Sequence, residues 1–214
     1  MSLRKWIVSL FLCVVSSFCS AGALEVAAGG ALNLPAEILV AQQSQANLSV
    51  DAQFDTESLI PPIYYQIRLI VVQHRRRYWE MEFIHNKIYL RNPPPEIQSF
   101  SVSHGFNMFG VNHVRMFNKC CGWRLGGGVI LAHPENTVRG AELTHNGGVF
   151  GWGYYLSGAY LASGFLAKHD IGQTFYLVAD LRLSSSYASI PIRNGQASLF
   201  LNTLHLAGGI GARW

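Results

Sequence analysis

Three histidines and one glutamate carry the side chains best suited to chemistry. His85, His104 and His133 each interrupt an alternating apolar pattern, and Glu135 follows His133 by two residues. Imidazole and carboxylate are general acid–base groups and also zinc-ligand types. Lys87 and Arg91 lie close by in sequence. Their cationic heads suit lipid phosphates, through charge-assisted hydrogen bonds. These residues can act together only if separate chain segments bring them to one face. The elements that carry them therefore decide what they can do.

The chain has 214 residues, of which 50% are apolar and 13% charged. A soluble domain carries about 25% charged residues. Residues 1–23 read as a secretory signal peptide. Arg4 and Lys5 supply the positive start, Trp6 to Phe18 the apolar stretch, and Ala21-Gly22-Ala23 the small-residue cleavage site. Its removal leaves 14 of the 16 basic residues against 12 acids, a mild balance with no basic stripe, so nucleic acid is not expected as a partner. Cys13 and Cys19 leave with the signal, and the adjacent pair Cys120-Cys121 cannot build a disulfide framework. No cofactor motif is present, and none is expected.

Residues 24–33 are expected to form a short periplasmic lead-in, with a loose Gly/Ala stretch at Ala27 to Leu32. From 34 onward the sequence divides into alternating segments separated by turn residues. They fall near 34–46, 62–73, 77–90, 97–117, 122–133, 148–168, 173–186 and 197–214. Short links (HRRR, NKCCG, HDIGQ) alternate with long ones, among them PENTVRGAELTHNG and YASIPIRNG, while NPPPE is short and rigid. Tight turns alternating with long loops mark an all-β, antiparallel up-and-down transmembrane β-barrel, here of eight strands over 34–214.

The faces support this. At the C-terminus Phe200, Leu204, Leu206, Ile210, Ala212 and Trp214 share one parity, and Thr203, His205 and Arg213 the other. Phe175, Leu177, Leu181 and Leu183 oppose Asp180 and Arg182, and Trp79, Met81 and Phe83 oppose Glu80 and Glu82. A soluble secreted sandwich or lipocalin-like barrel would place the apolar set inside. The signal peptide and the mixed charges argue the reverse. The apolar set should face lipid, with an interior ion-pair network of Arg68, Glu80, Glu82, Arg115, Arg124, Asp180, Arg182 and Arg213. In the segment 97–117 the same rule points Phe100, Val102, Phe106 and Met108 outward, and Tyr64 and Tyr160 join the interfacial aromatics.

This architecture resembles the small bacterial outer-membrane β-barrel proteins of about eight strands. The resemblance implies an outer-membrane location, contact with membrane lipid and lipopolysaccharide, and a monomer. It also implies recognition of the terminal aromatic, Trp214, by the barrel assembly machinery.

Folding the segments about NPPPE and NKCCG sets His85 opposite Val102, and His133 opposite Phe106, with Glu135 opposite His104. The histidines would then form one exterior patch about 20–33 Å above the periplasmic turns, near the rim of an apolar band about 25 Å tall. Lipid head groups lie at that height, within reach of Lys87 and Arg91. The expected role is structural or lipid- and ligand-contacting, with a plugged polar interior. A lipid A-modifying enzyme is one alternative, with His104, His85, His133 and Glu135 as candidate catalytic residues. The His-x-Ser motif of outer-membrane lipid A deacylases is absent, since Phe106 stands two residues after His104. A metal site using the same four residues is a second chemical reading. A small, porin-like diffusion pore is the remaining alternative.

Overall fold

The structure, a computed structural model, describes residues 22–144 and 147–214. The proposed signal segment falls almost wholly outside the described residues. The described residues form strands and turns without a helix. In chain order the strands are β1 (Ala23–Asn33), β2 (Ala36–Gln42), β3 (Leu48–Ala52), β4 (Phe54–Asp55), β5 (Tyr65–His74), β6 (Arg77–His85), β7 (Ile88–Leu90) and β8 (Ile97–Val102). They continue with β9 (Phe106–Met116), β10 (Cys121–Ala132), β11 (Glu135–Val138), β12 (Ala141–Glu142), β13 (Tyr155–Asp170), β14 (Phe175–Ile192) and β15 (Gly195–Arg213).

Eight of them form a closed antiparallel ring in the order β1-β5-β6-β9-β10-β13-β14-β15, shut by β15 pairing back onto β1. Both described chain ends and the turns at 75–76, 117–120 and 171–174 lie at one end, here the base. The opposite end, the crown, carries the remaining strands.

The closing strand is a correction. Residues 24–33 are not a lead-in but most of β1, a full barrel strand running from Ala23↔Arg213 to Asn33↔Thr203. The Gly/Ala stretch is its close-packed seam. Ala27 faces Gly209, Ala28 faces Gly208 and Gly29 faces Ala207. A Cβ at Gly29 would strike the Leu206 carbonyl, so the smallness there is steric and not a sign of looseness.

From the base to mid-height, apolar residues point out, and at mid-height the inward positions are polar. On β14, Phe175, Leu177, Leu181 and Leu183 are exposed, while Asp180, Arg182, Ser184 and Ser186 are buried. Phe175 to Leu183 climbs about 20 Å at ~2.5 Å per tilted residue, matching most of an apolar belt. Farther up the same strand the inward positions become Ala188, Ile190 and Ile192. β15 changes in step, from inward Thr203 and His205 to inward Leu201, Leu199 and Ala197.

That inversion marks a second unit, the crown lobe. β2 continues from β1 past Pro35 and stays on β15, with Ile38 beside Leu199, and β3 folds back on β2. A five-stranded sheet, β12-β11-β8-β7-β4, completes the lobe. Ile38, Val40, Ile88, Phe100, Val102 and Ile190 pack into its core. The segment 34–46 is therefore a lobe strand. YASIPIRNG is not a loop: β14 and β15 run through it to a tight turn at Arg193-Asn194, with Asn194 at positive φ.

The segment 97–117 is two strands. β8 belongs to the lobe and β9 to the barrel, separated by Ser103-His104-Gly105, with Gly105 at φ 129°. The break leaves the parity unchanged: even-numbered residues lie inward on both sides of it, because the upper barrel and the lobe enclose an apolar core. Phe100, Val102, Phe106 and Met108 are buried, not outward, and Phe109 and Val111 take the outward positions. The expected folding about NPPPE is replaced by Phe83 opposite Phe109 on β6 and β9.

Candidate functional site

The crown brings three of the four chemically suited residues together. His104 lies in the β8–β9 turn, His133 between β10 and β11, and Glu135 at the start of β11. Adjacent backbones hold them: the His133 N–H donates to the Gly105 carbonyl at 3.1 Å, and Ser101 on β8 pairs with Glu135 on β11. His104 Nδ1 lies 3.0 Å from Glu135 Oε1. The His104 and His133 ring centres are 5.1 Å apart, and Tyr154 packs edge-on against His133 at 4.8 Å. The Tyr154 hydroxyl donates to the His104 carbonyl at 3.3 Å.

Ser103, in the same turn as His104, is a further member of the cluster. Its Oγ is 3.1 Å from His104 Nδ1 and donates to Glu135 Oε2. This is not a hydrolytic relay. A relay needs the hydroxyl on one imidazole nitrogen and the acid on the other. Here serine and glutamate share Nδ1, and the serine proton is committed to the carboxylate.

His85 does not join the cluster. It is 5% exposed, stacks on Tyr65 and meets Asn107 Oδ1 through Nδ1 at 2.8 Å. Lys87 is not free for phosphate either. It is buried at 2% exposure, with its ammonium donating to the Ile60 carbonyl at 2.8 Å. Burial pulls the Lys87 ammonium below its ordinary pKa, with Glu57 opposing the shift. Arg91 remains exposed on the lobe.

A second polar constellation lies inside the barrel. Arg68 Nε meets Glu82 Oε2 at 2.7 Å, and its Nη2 lies 3.2 Å from Asp180. Arg124 Nε meets Glu80 at 2.6 Å and a second nitrogen pairs with Asp180. Arg182 grips Glu82 through both terminal nitrogens. Two members were not foreseen: Glu25 on β1 and Lys168 on β13, whose charged ends meet at 2.6 Å. The alternation Leu24, Glu25, Val26 contained the information for Glu25, once 24–33 is read as a strand. Four carboxylates thus face four cations. Below them pack Ile70, Tyr78, Val114, Leu166 and Tyr176. Above them Tyr64 bonds His205, which bonds Ser184.

Two expected members fall outside this layer. Arg115 faces outward on the parity of Phe109 and Val111, and Arg213 lies at the base, paired with Asp170 and stacked over Tyr176. Tyr64 and Tyr160 are inward and buried, not interfacial. A Cβ at Gly110 would meet the Tyr160 hydroxyl, and one at Gly211 the Tyr176 ring, so inward glycines make room for these tyrosines.

The chain resembles small outer-membrane β-barrel proteins. Neisserial surface protein A aligns over 90% of this chain and 98% of its own, at 11% identity and a TM-score of 0.40. Ail, the attachment invasion locus protein of Yersinia pestis, aligns over 90% and 99%, at 10% identity and a TM-score of 0.41. Outer membrane protein AlkL aligns over 91% and 90%, at 8% identity and a TM-score of 0.45. No family model and no curated protein sequence matches the chain.

Proposed function

We propose that this protein is an integral outer-membrane barrel that passes no solute and presents its crown lobe, on the cell exterior, to lipopolysaccharide or a surface ligand. The ionic layer carries this reading. Four acids and four bases neutralise one another across the bore, with packed apolar and aromatic residues below and a larger apolar core above. Ions that bind one another inside a packed barrel favour closure over a diffusion pore. The exposed apolar belt on β14, β15 and β6 supports a lipid environment around the lower half. Trp214 remains the proposed contact for the assembly machinery, and the monomer the proposed state.

Two measurements test this. Reconstituted in planar bilayers, the barrel should give no conductance steps; steady channels would replace closure by passage. On intact cells, a membrane-impermeant maleimide should label Gln45→Cys, in the crown, in a Cys120→Ser/Cys121→Ser background. In the unsubstituted protein the native thiols Cys120 and Cys121, at the base, should stay unlabelled. The reverse pattern would invert the orientation. The Ser103–His104–Glu135 geometry does not favour ester hydrolysis, so lipid A from cells with and without the protein should have the same mass spectrum.

A further inference from the structure

We propose that His104, His133 and Glu135 form a binding site for a divalent transition-metal ion of the zinc class at the crown. One ligand atom from each residue lies within 4.8 Å of the other two. Tetrahedral zinc with ligand bonds of about 2.0–2.1 Å holds its ligands ~3.4 Å apart. The His104–Glu135 pair, at 3.0 Å, is already at such a spacing. The third donor needs a side-chain adjustment of up to about 1.4 Å to reach it.

The backbone is set for this before any ion arrives. The His133 N–H to Gly105 bond ties the two histidine segments together. Ser101 Oγ donates to the Glu135 carbonyl at 3.2 Å, and the Ser101 N–H donates to Asn136 Oδ1 at 2.9 Å. Pro134, between His133 and Glu135, limits the backbone freedom of the pair. A supporting shell is present as well. Ser103 holds the Glu135 oxygen that does not face His104, and the Tyr154 ring packs on His133. Metal-binding side chains are commonly oriented by partners of this kind.

A surface ion pair alone does not account for the arrangement. It needs one histidine, whereas here a second imidazole stands beside the first, a costly placement if both are protonated. Neutral imidazoles around a metal remove that cost. Two nitrogens and one oxygen are a donor set zinc accepts, and three protein ligands leave a coordination position open. His104 is exposed, so an ion has a path in. The site stands whether or not the crown faces the cell exterior, since it rests on the local geometry alone.

The test uses the folded barrel in detergent micelles, in a Cys120→Ser/Cys121→Ser background, since adjacent thiols are the other soft ligands present. Cobalt(II) titration should give visible absorption saturating at one equivalent and displaced by zinc. His104→Ala, His133→Ala and Glu135→Gln should each weaken zinc binding at least tenfold. His169→Ala, at the exposed base, should leave it unchanged. Glu135→Gln keeps the side-chain shape, so it decides the matter even if a histidine variant fails to fold. No saturable binding, or an affinity unaltered by Glu135→Gln, would overturn the proposal.

Discussion

The barrel below mid-height and the crown lobe use the same strands and the same alternation with opposite sign. β14 buries Asp180 and Arg182 and exposes Leu181 and Leu183; ten residues later it buries Ile190 and Ile192. Neither the hydrogen-bond ladder nor the pairing changes, since β14 and β15 stay in register from Phe175↔Ala212 to Ile192↔Gly195. What changes is the medium outside. In hydrocarbon the apolar side chain is stable facing out and the charges must satisfy one another inside. In water the apolar side chain goes in. With the lower half embedded in lipid as proposed, the inferred upper edge of the hydrocarbon lies near Ser186 and Ala188, where outward Leu181 and Leu183 give way to Ser185 and Ser189.

Substitutions can break this contrast, and the largest effect should come from the ionic layer. Arg182→Ala leaves Glu82 buried with one of its cations missing, and should destabilise the barrel by about 3–5 kcal/mol. Urea unfolding in micelles, followed by tryptophan fluorescence, measures it. In the crown core, Phe106→Ala should cost a similar ~3–5 kcal/mol by leaving a cavity. Lipid composition should modulate the first loss more than the second. On the outer face of β15, Leu206→Arg should cost about 2–4 kcal/mol in bilayers, because it sets a charge in hydrocarbon. Gln196→Arg lies on the same face of the same strand, above the boundary. It should change stability by less than ~0.5 kcal/mol. Equal costs at the two positions would remove the boundary inferred here.

The strands that stay in one phase were legible from sequence. Trp79–Glu82, Arg124 and Phe175–Leu183 face as their parity requires. Legibility failed where the interior turns apolar. Phe100, Val102, Phe106 and Met108 keep one parity across Gly105 and face the core shared by the lobe and the upper barrel, which leaves Arg115 on the outward parity. It failed also where smallness stands for contact, as at Ala27-Ala28-Gly29, whose partners 180 residues away are equally small. Within the candidate site, His104, His133 and Glu135 converge as expected, though through a turn and not through strand register. His85 and Lys87 were misplaced because alternation reports a face and cannot report what covers it. The lobe that covers them joins segments that read as barrel strands, in β2, β7 and β8, to segments that read as loops, in β3, β4, β11 and β12.

The ionic layer also bears on how the chain reaches this state. Its members come from β1, β5, β6, β10, β13 and β14, and Glu25 near the start of the ring pairs with Lys168 on β13. No single hairpin brings the eight charges to balance, so they become mutually neutral only when the ring shuts. Contacts of such long sequence separation form late and slowly. Interactions absent from the transition state slow unfolding more than they speed folding. The closed barrel should therefore persist through a slow escape rate, beyond what its equilibrium stability alone would provide.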